Sequence, residues 1–96
     1  ILRYRDEEHA IEIANNSLYG LSGTVFTADV ERGEQIARRV RTGNVSVNGL
    51  QIAPNIPFGG FKQSGVGREG GPEGLAAFLE PKAIYLPHDI STVARP

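Results

Sequence analysis

Eight of the chain's 12 glycines and three of its six prolines fall between Asn48 and Gly74. Residues that break helices and weaken strands at that density leave room for no long regular element. A loop of such length persists in a compact domain only where it serves a site. The 96 residues therefore divide into a patterned first part, a loop region at 48–74 and a short ending. There is material for one small domain or for a piece of a larger one, not for two domains.

The patterned part reads as β-α-β-α-β, the order that builds an α/β fold with helices laid on a sheet. Ile1-Leu2-Arg3-Tyr4 has the composition of a strand and ends at Asp6, an N-cap residue followed by the acidic pair Glu7-Glu8. Ala10, Ile11, Ala14 and Leu18 recur at helical spacing, which predicts a helix over 6–16, closed by the Asn15-Asn16-Ser17 cluster and Gly20. Gly23 to Thr27 is β-branched and aromatic and predicts a strand. Asp29 caps a second helix with Val30, Ile36, Ala37 and Val40 on its buried side, and Gly33 inside it implies close packing or a bend. Arg38, Arg39 and Arg41 complement the negative end of that helix, a solvated terminus rather than a phosphate site. Val45-Ser46-Val47 is the third strand, with Asn48 expected to end it by satisfying loop backbone groups. Beyond the loop, 74–79 is expected to be a short helix. Lys82 to Leu86, bracketed by Pro81 and Pro87, is expected to be an edge strand, and His88 to Pro96 a polar tail.

Composition excludes several function classes. Ten Lys and Arg against 11 Asp and Glu give a net charge of -1, without the basic footprint of a nucleic-acid or membrane-surface binder. No apolar run reaches the roughly 20 residues of a membrane span. With no cysteine there is no disulfide, no thiolate metal site and no cysteine nucleophile within these residues, and His9 and His88 lie too far apart in sequence to suggest a metal pair. The chain has no methionine, even at position 1, and so is expected to be a processed or excised piece. No secretory signal pattern opens it, which makes the cytoplasm the default compartment and leaves the sequons at Asn15 and Asn44 without meaning.

Gly65-Val66-Gly67-Arg68-Glu69-Gly70 matches the dinucleotide fingerprint G-x-G-x-x-G by letter. That fingerprint works between a buried strand and a helix whose N-terminus receives the pyrophosphate. Gly59 to Ser64 is no buried strand and Gly71-Pro72 delays a helix, so the segment reads as a buttressing loop and the chain as binding no cofactor itself.

Taken whole, Pro57-Phe58-Gly59-Gly60-Phe61-Lys62-Gln63-Ser64-Gly65-Val66-Gly67-Arg68-Glu69 resembles the C-terminal signature of the aldehyde dehydrogenase superfamily. Ala14 to Leu21 is similar to that family's A-N-x-x-x-Y-G-L segment, Gly43 to Asn48 to its G-x-V-x-V-N strand, and Gly74 to Lys82 to its terminal helix and strand. All four stand in family order over nearly the full chain. The resemblance implies an α/β fold in which 1–80, including loop 48–74, closes the catalytic domain and 81–96 supplies an oligomerisation strand and tail. It implies a homo-oligomeric, NAD- or NADP-dependent parent enzyme that oxidises a small-molecule aldehyde to a carboxylic acid through a cysteine thioester. The nucleophilic cysteine, the glutamate base and the Rossmann-like domain would all lie upstream, so the fragment alone is expected to be inactive.

Carried over by position, the resemblance makes Phe58 an aromatic wall of the aldehyde tunnel and Leu50, Gln51 and Ile52 the variable loop at its mouth. Subfamilies acting on cationic amino-aldehydes usually have Trp where Phe58 stands, which points here to a neutral aldehyde. The alternative for Phe58 is a plain core residue. Glu69 matches an acidic residue that supports a proton relay; the alternative is a surface carboxylate paired with Arg68. Glu80 matches an interface glutamate, with Arg68 as its partner, and Lys82, Ile84 and Leu86 belong to the oligomerisation strand. Two rivals of other classes are a free-standing α/β interaction or ligand-binding module and an assembly element.

Overall fold

A computed structural model of the chain describes residues 1–86. In chain order the elements are α1 (Glu7–Asn15), β1 (Tyr19–Gly20), β2 (Ser22–Val25), α2 (Val30–Ala37), β3 (Asn44–Val47), β4 (Phe61–Lys62) and α3 (Gly71–Ala76). The expected α/β character holds. β2 and β3 pair in parallel, with Ser22 opposite Asn44 and Val25 opposite Val47, and α2 is the crossover between them. β1 and β4 form a separate antiparallel pair, Tyr19 opposite Lys62 and Gly20 opposite Phe61.

Both N-caps are those expected. The Asp6 carboxylate accepts from His9 N at 2.8 Å and that of Asp29 from Arg32 N at 2.9 Å, each relieving one unpaired donor of a first turn. Gly33 is buried because α2 lies directly on the β2–β3 pair: a Cβ there would stand 2.8 Å from both Thr27 Cγ2 and Val47 Cγ1. This is close packing, one of the two expected reasons for that glycine.

α2 and the turn that follows it are tied to their surroundings by side chains. Arg38 pairs with Glu34 at 2.5 Å, Arg39 with Glu8, and Arg32 with Glu7, so two of the three ion pairs among the described residues join α2 and the turn that follows it to α1. The Arg39 hydrogen bond is the main reason the Glu8 carboxyl titrates below its ordinary value, and the Arg39 charge adds to it. A carboxylate depressed in this way stabilises the folded state at neutral pH, and that contribution is lost as pH falls through its folded pKa. Asn15 completes the junction by donating from Nδ2 to Arg39 O at 3.0 Å and accepting from Arg41 N at 2.7 Å.

Several expectations are corrected. Ile1–Tyr4 forms no strand in the single chain. α2 ends at Ala37 rather than Val40. The helix expected at 74–79 begins three residues earlier, since Pro72 occupies its first turn, where a missing N–H costs nothing. Lys82–Leu86, expected to be an edge strand completed by another subunit, has no ladder partner among the described residues of one copy and stays exposed. β1 and β4 were not expected as strands. The polar tail from His88 lies outside the described residues.

Burial is sparse. Ile11 is the one buried hydrophobic side chain among the described residues, while Phe26, Phe78 and Leu2 are 77%, 87% and 73% exposed. Between α1, β2 and α2 lies an apolar hollow of about 460 Å³ lined by Ile11, Ala14, Val25, Ile36, Val40 and Val45 among others. No helix among the described residues is long and apolar enough to cross a membrane.

Candidate functional site

The site is built at the exit of β3. Asn48 ends that strand with φ 58°, a left-handed conformation that asparagine tolerates. Its Oδ1 accepts from Thr27 N and its Nδ2 donates to Thr27 O, both at 2.8 Å, so the side-chain amide replaces the next peptide of the ladder. The chain then loops outward through Leu50, Gln51 and Ile52. It is caught again at Pro54, whose carbonyl accepts from Gly71 N at 2.9 Å.

Phe58 follows, and its backbone is held from two sides. Phe58 N donates to Glu69 O at 2.7 Å and Glu69 N to Phe58 O at 2.8 Å, a single antiparallel bridge within the loop region. From β3, the Asn44 amide donates to Pro57 O at 3.1 Å and accepts from Gly59 N at 3.2 Å.

These contacts close a small cleft of about 50 Å³ lined by Asn44, Gln51, Ile52, Ala53, Ile56, Pro57 and Phe58. Three of the four residues expected at the tunnel, Phe58, Gln51 and Ile52, thus come together, with Phe58 half-buried. Leu50 does not join them and is 68% exposed. Asn44, Ala53, Ile56 and Pro57 line the cleft without having been singled out in the sequence. A polar residue opening an apolar strand, at Asn44, was the one available signal.

The charged residues take other partners than expected. Arg68 makes no ion pair with Glu69 or Glu80 among the described residues. Its Nη1 donates to Gly60 O at 2.9 Å and to Gly67 O at 2.8 Å, carbonyls left without donors by the irregular backbone. Its guanidinium lies 5.7 Å from the Phe61 ring centroid, and that of Arg41 lies 5.3 Å from the same centroid, so the ring carries two cations. Glu69 contributes its backbone to the bridge and leaves its side chain exposed. Glu80, Lys82, Ile84 and Leu86 are exposed as well.

Lys62, with φ 54°, turns back so that Nζ donates to Asn15 O and Ser17 O, both at 3.0 Å, anchoring β4 to the end of α1. The Gly65–Gly70 segment therefore runs from a two-residue strand into a six-residue helix whose N-cap, Gly70, makes no side-chain cap bond. Neither the buried strand nor the long helix of a dinucleotide cradle is present, and these residues do not fit NAD. No cluster of three metal-ligating side chains occurs among the described residues.

The sequence pattern of the aldehyde dehydrogenase family matches residues 1–84. The chain is 51% identical over 86 residues to geranial dehydrogenase of Castellaniella defragrans, covering 90% of this chain and 18% of that protein. It is also 51% identical over 84 residues to 3-succinoylsemialdehyde-pyridine dehydrogenase of a Pseudomonas species, covering 88% and 18%. The chain thus spans about 18% of the length of these curated relatives. Among solved structures it is similar to an aldehyde dehydrogenase of Mycobacterium tuberculosis complexed with NAD+, at 50% identity and a TM-score of 0.84 over 88% of this chain and 17% of that one. It is also similar to betaine aldehyde dehydrogenase of Staphylococcus aureus in complex with NAD+, at 40% identity and a TM-score of 0.80 over 84% and 17%. Pattern, sequence and backbone agree along nearly the same residues, and the chain belongs to the aldehyde dehydrogenase family.

Proposed function

We propose that this chain works as the closing part of an NAD- or NADP-dependent aldehyde dehydrogenase that oxidises a neutral aldehyde to a carboxylic acid through a cysteine thioester. Within that enzyme, residues 1–80 complete the catalytic domain and 81–96 serve as oligomerisation strand and tail. The observation that carries the reading is the cleft in which Phe58, Gln51 and Ile52 converge. A ring on a loop, pinned through its backbone on both sides, presents a fixed apolar face to a substrate rather than filling a core. Phenylalanine in place of tryptophan there supports a neutral substrate. The dinucleotide, which supplies hydride acceptance when bound, would be held by other parts of the enzyme. The oligomerisation role rests on Ile84 and Leu86, 73% and 78% exposed on a segment with no ladder partner among the described residues of one copy.

A free-standing binding module is the weaker reading, because a chain with one buried hydrophobic side chain among its described residues lacks the core to stand alone. The test is Phe58→Ala in the whole enzyme. A tunnel wall contributes binding shared by ground and transition states, so the variant should raise KM and shift preference among aldehydes with little change in kcat. Unchanged kinetics with a stability loss of about 3 kcal/mol would identify a core residue instead.

A further inference from the structure

We propose that Asn44 is the positioning residue for the tunnel wall: its amide fixes where the Phe58 ring stands and so sets which aldehydes the cleft admits. This rests on the tunnel reading above. Asn44 bonds the two peptides that flank Phe58, donating to Pro57 O and accepting from Gly59 N, and it lines the same cleft as the ring. Together with the bridge to Glu69, four hydrogen bonds converge on the backbone from Pro57 to Gly59.

The post itself is rigid. Asn44 lies at the first position of β3, opposite Ser22; its N donates to Leu21 O at 3.2 Å and its carbonyl accepts from Thr42 Oγ1 at 2.8 Å. A primary amide is suited to this task because it offers one donor and one acceptor in a single plane at the reach of one side chain. Serine is too short to span both peptides, and alanine leaves a half-buried carbonyl and N–H to find other partners. A ring held on a swinging peptide would still be apolar, but its position relative to Gln51 and Ile52 would no longer be defined. Loss of Asn44 therefore blurs size discrimination and leaves the chemical step, which uses none of these residues, intact.

The experiment is a double-mutant cycle in the whole enzyme with Asn44→Ala and Phe58→Ala, measured on unbranched and bulky neutral aldehydes. Asn44→Ala should raise KM about 3- to 10-fold more for the bulky aldehydes than for acetaldehyde, the change falling on KM rather than kcat. The double variant should match Phe58→Ala alone, because Asn44 acts only through that ring. Asn44→Ser carries the same test if the alanine variant does not fold. If Phe58→Ala shifts substrate preference and the Asn44 variant does not, or if the two effects simply add, the positioning role is wrong while the tunnel stands. A uniform fall in kcat for every aldehyde, accompanied by a lowered unfolding midpoint, also overturns it. If Phe58→Ala itself moves no kinetic constant, the tunnel reading fails and takes this inference with it.

Discussion

A methyl group at position 43 would overlap the carbonyl oxygen of Gly59, because the turn before β3 and the Gly59-Gly60 backbone cross with nothing between them. Neither backbone can yield without moving Asn44 or Phe58, its immediate neighbours. Gly43→Ala in the whole enzyme should therefore lose about 1–3 kcal/mol, the usual cost of overpacking, and raise KM along with it. Gly49 supplies the control, since a Cβ there meets nothing within 4 Å, and Gly49→Ala should stay within about 0.5 kcal/mol. Denaturant unfolding of the two variants decides the matter: equal losses would mean that the crossing does not set the tolerance. In the sequence, position 43 stood out only as the first residue of a strand segment. Its role as the crossing point for a segment some 16 residues on depends on a contact that no local pattern records.

At the scale of elements, what could be read from sequence was what is encoded locally. Caps at Asp6 and Asp29, the apolar spacing of α1 and the β-branched run of β3 each lie within a few residues, and each was found where expected. β1 and β4 were missed because a two-residue strand has no periodicity of its own. They exist through Lys62 and the long-range pairing of Gly20 with Phe61. The site was legible in the same uneven way. The resemblance pointed to Phe58, Gln51 and Ile52, which share one cleft, but not to the Asn44 amide that bonds the peptides on either side of Phe58, and it paired Arg68 with Glu80 where the structure has that guanidinium on the carbonyls of Gly60 and Gly67. For Lys82–Leu86 the expectation now concerns assembly. In the assembled enzyme alternate amides of this segment should exchange slowly, paired on a neighbouring subunit's sheet, and in the isolated chain at low concentration all should exchange fast. Fast exchange in both would remove the oligomerisation role.

For the molecule as a whole, the isolated chain should neither bind NAD nor oxidise aldehydes. The glycine-rich segment forms no dinucleotide cradle, and the chain contains no cysteine. Titrating the chain with NAD by calorimetry should give no binding heat; a micromolar site would show that Gly65–Gly70 does more than buttress the loop. The same chain should bind a hydrophobic dye, given the exposure of Phe26, Phe78 and Leu2. The loop from Gly49 to Ala53 is strung between two fixed posts, Asn48 on Thr27 and Pro54 on Gly71. Lengthening such a loop costs little closure entropy, about 0.6 kcal/mol per doubling. Leu50, Gln51 and Ile52 can thus be exchanged or multiplied while both posts, and the wall at Phe58, stay where they are. On the proposed tunnel reading, an engineer, or natural variation, has here a replaceable cassette on an unchanged frame, and exchanging it should change the substrate range without refolding the enzyme.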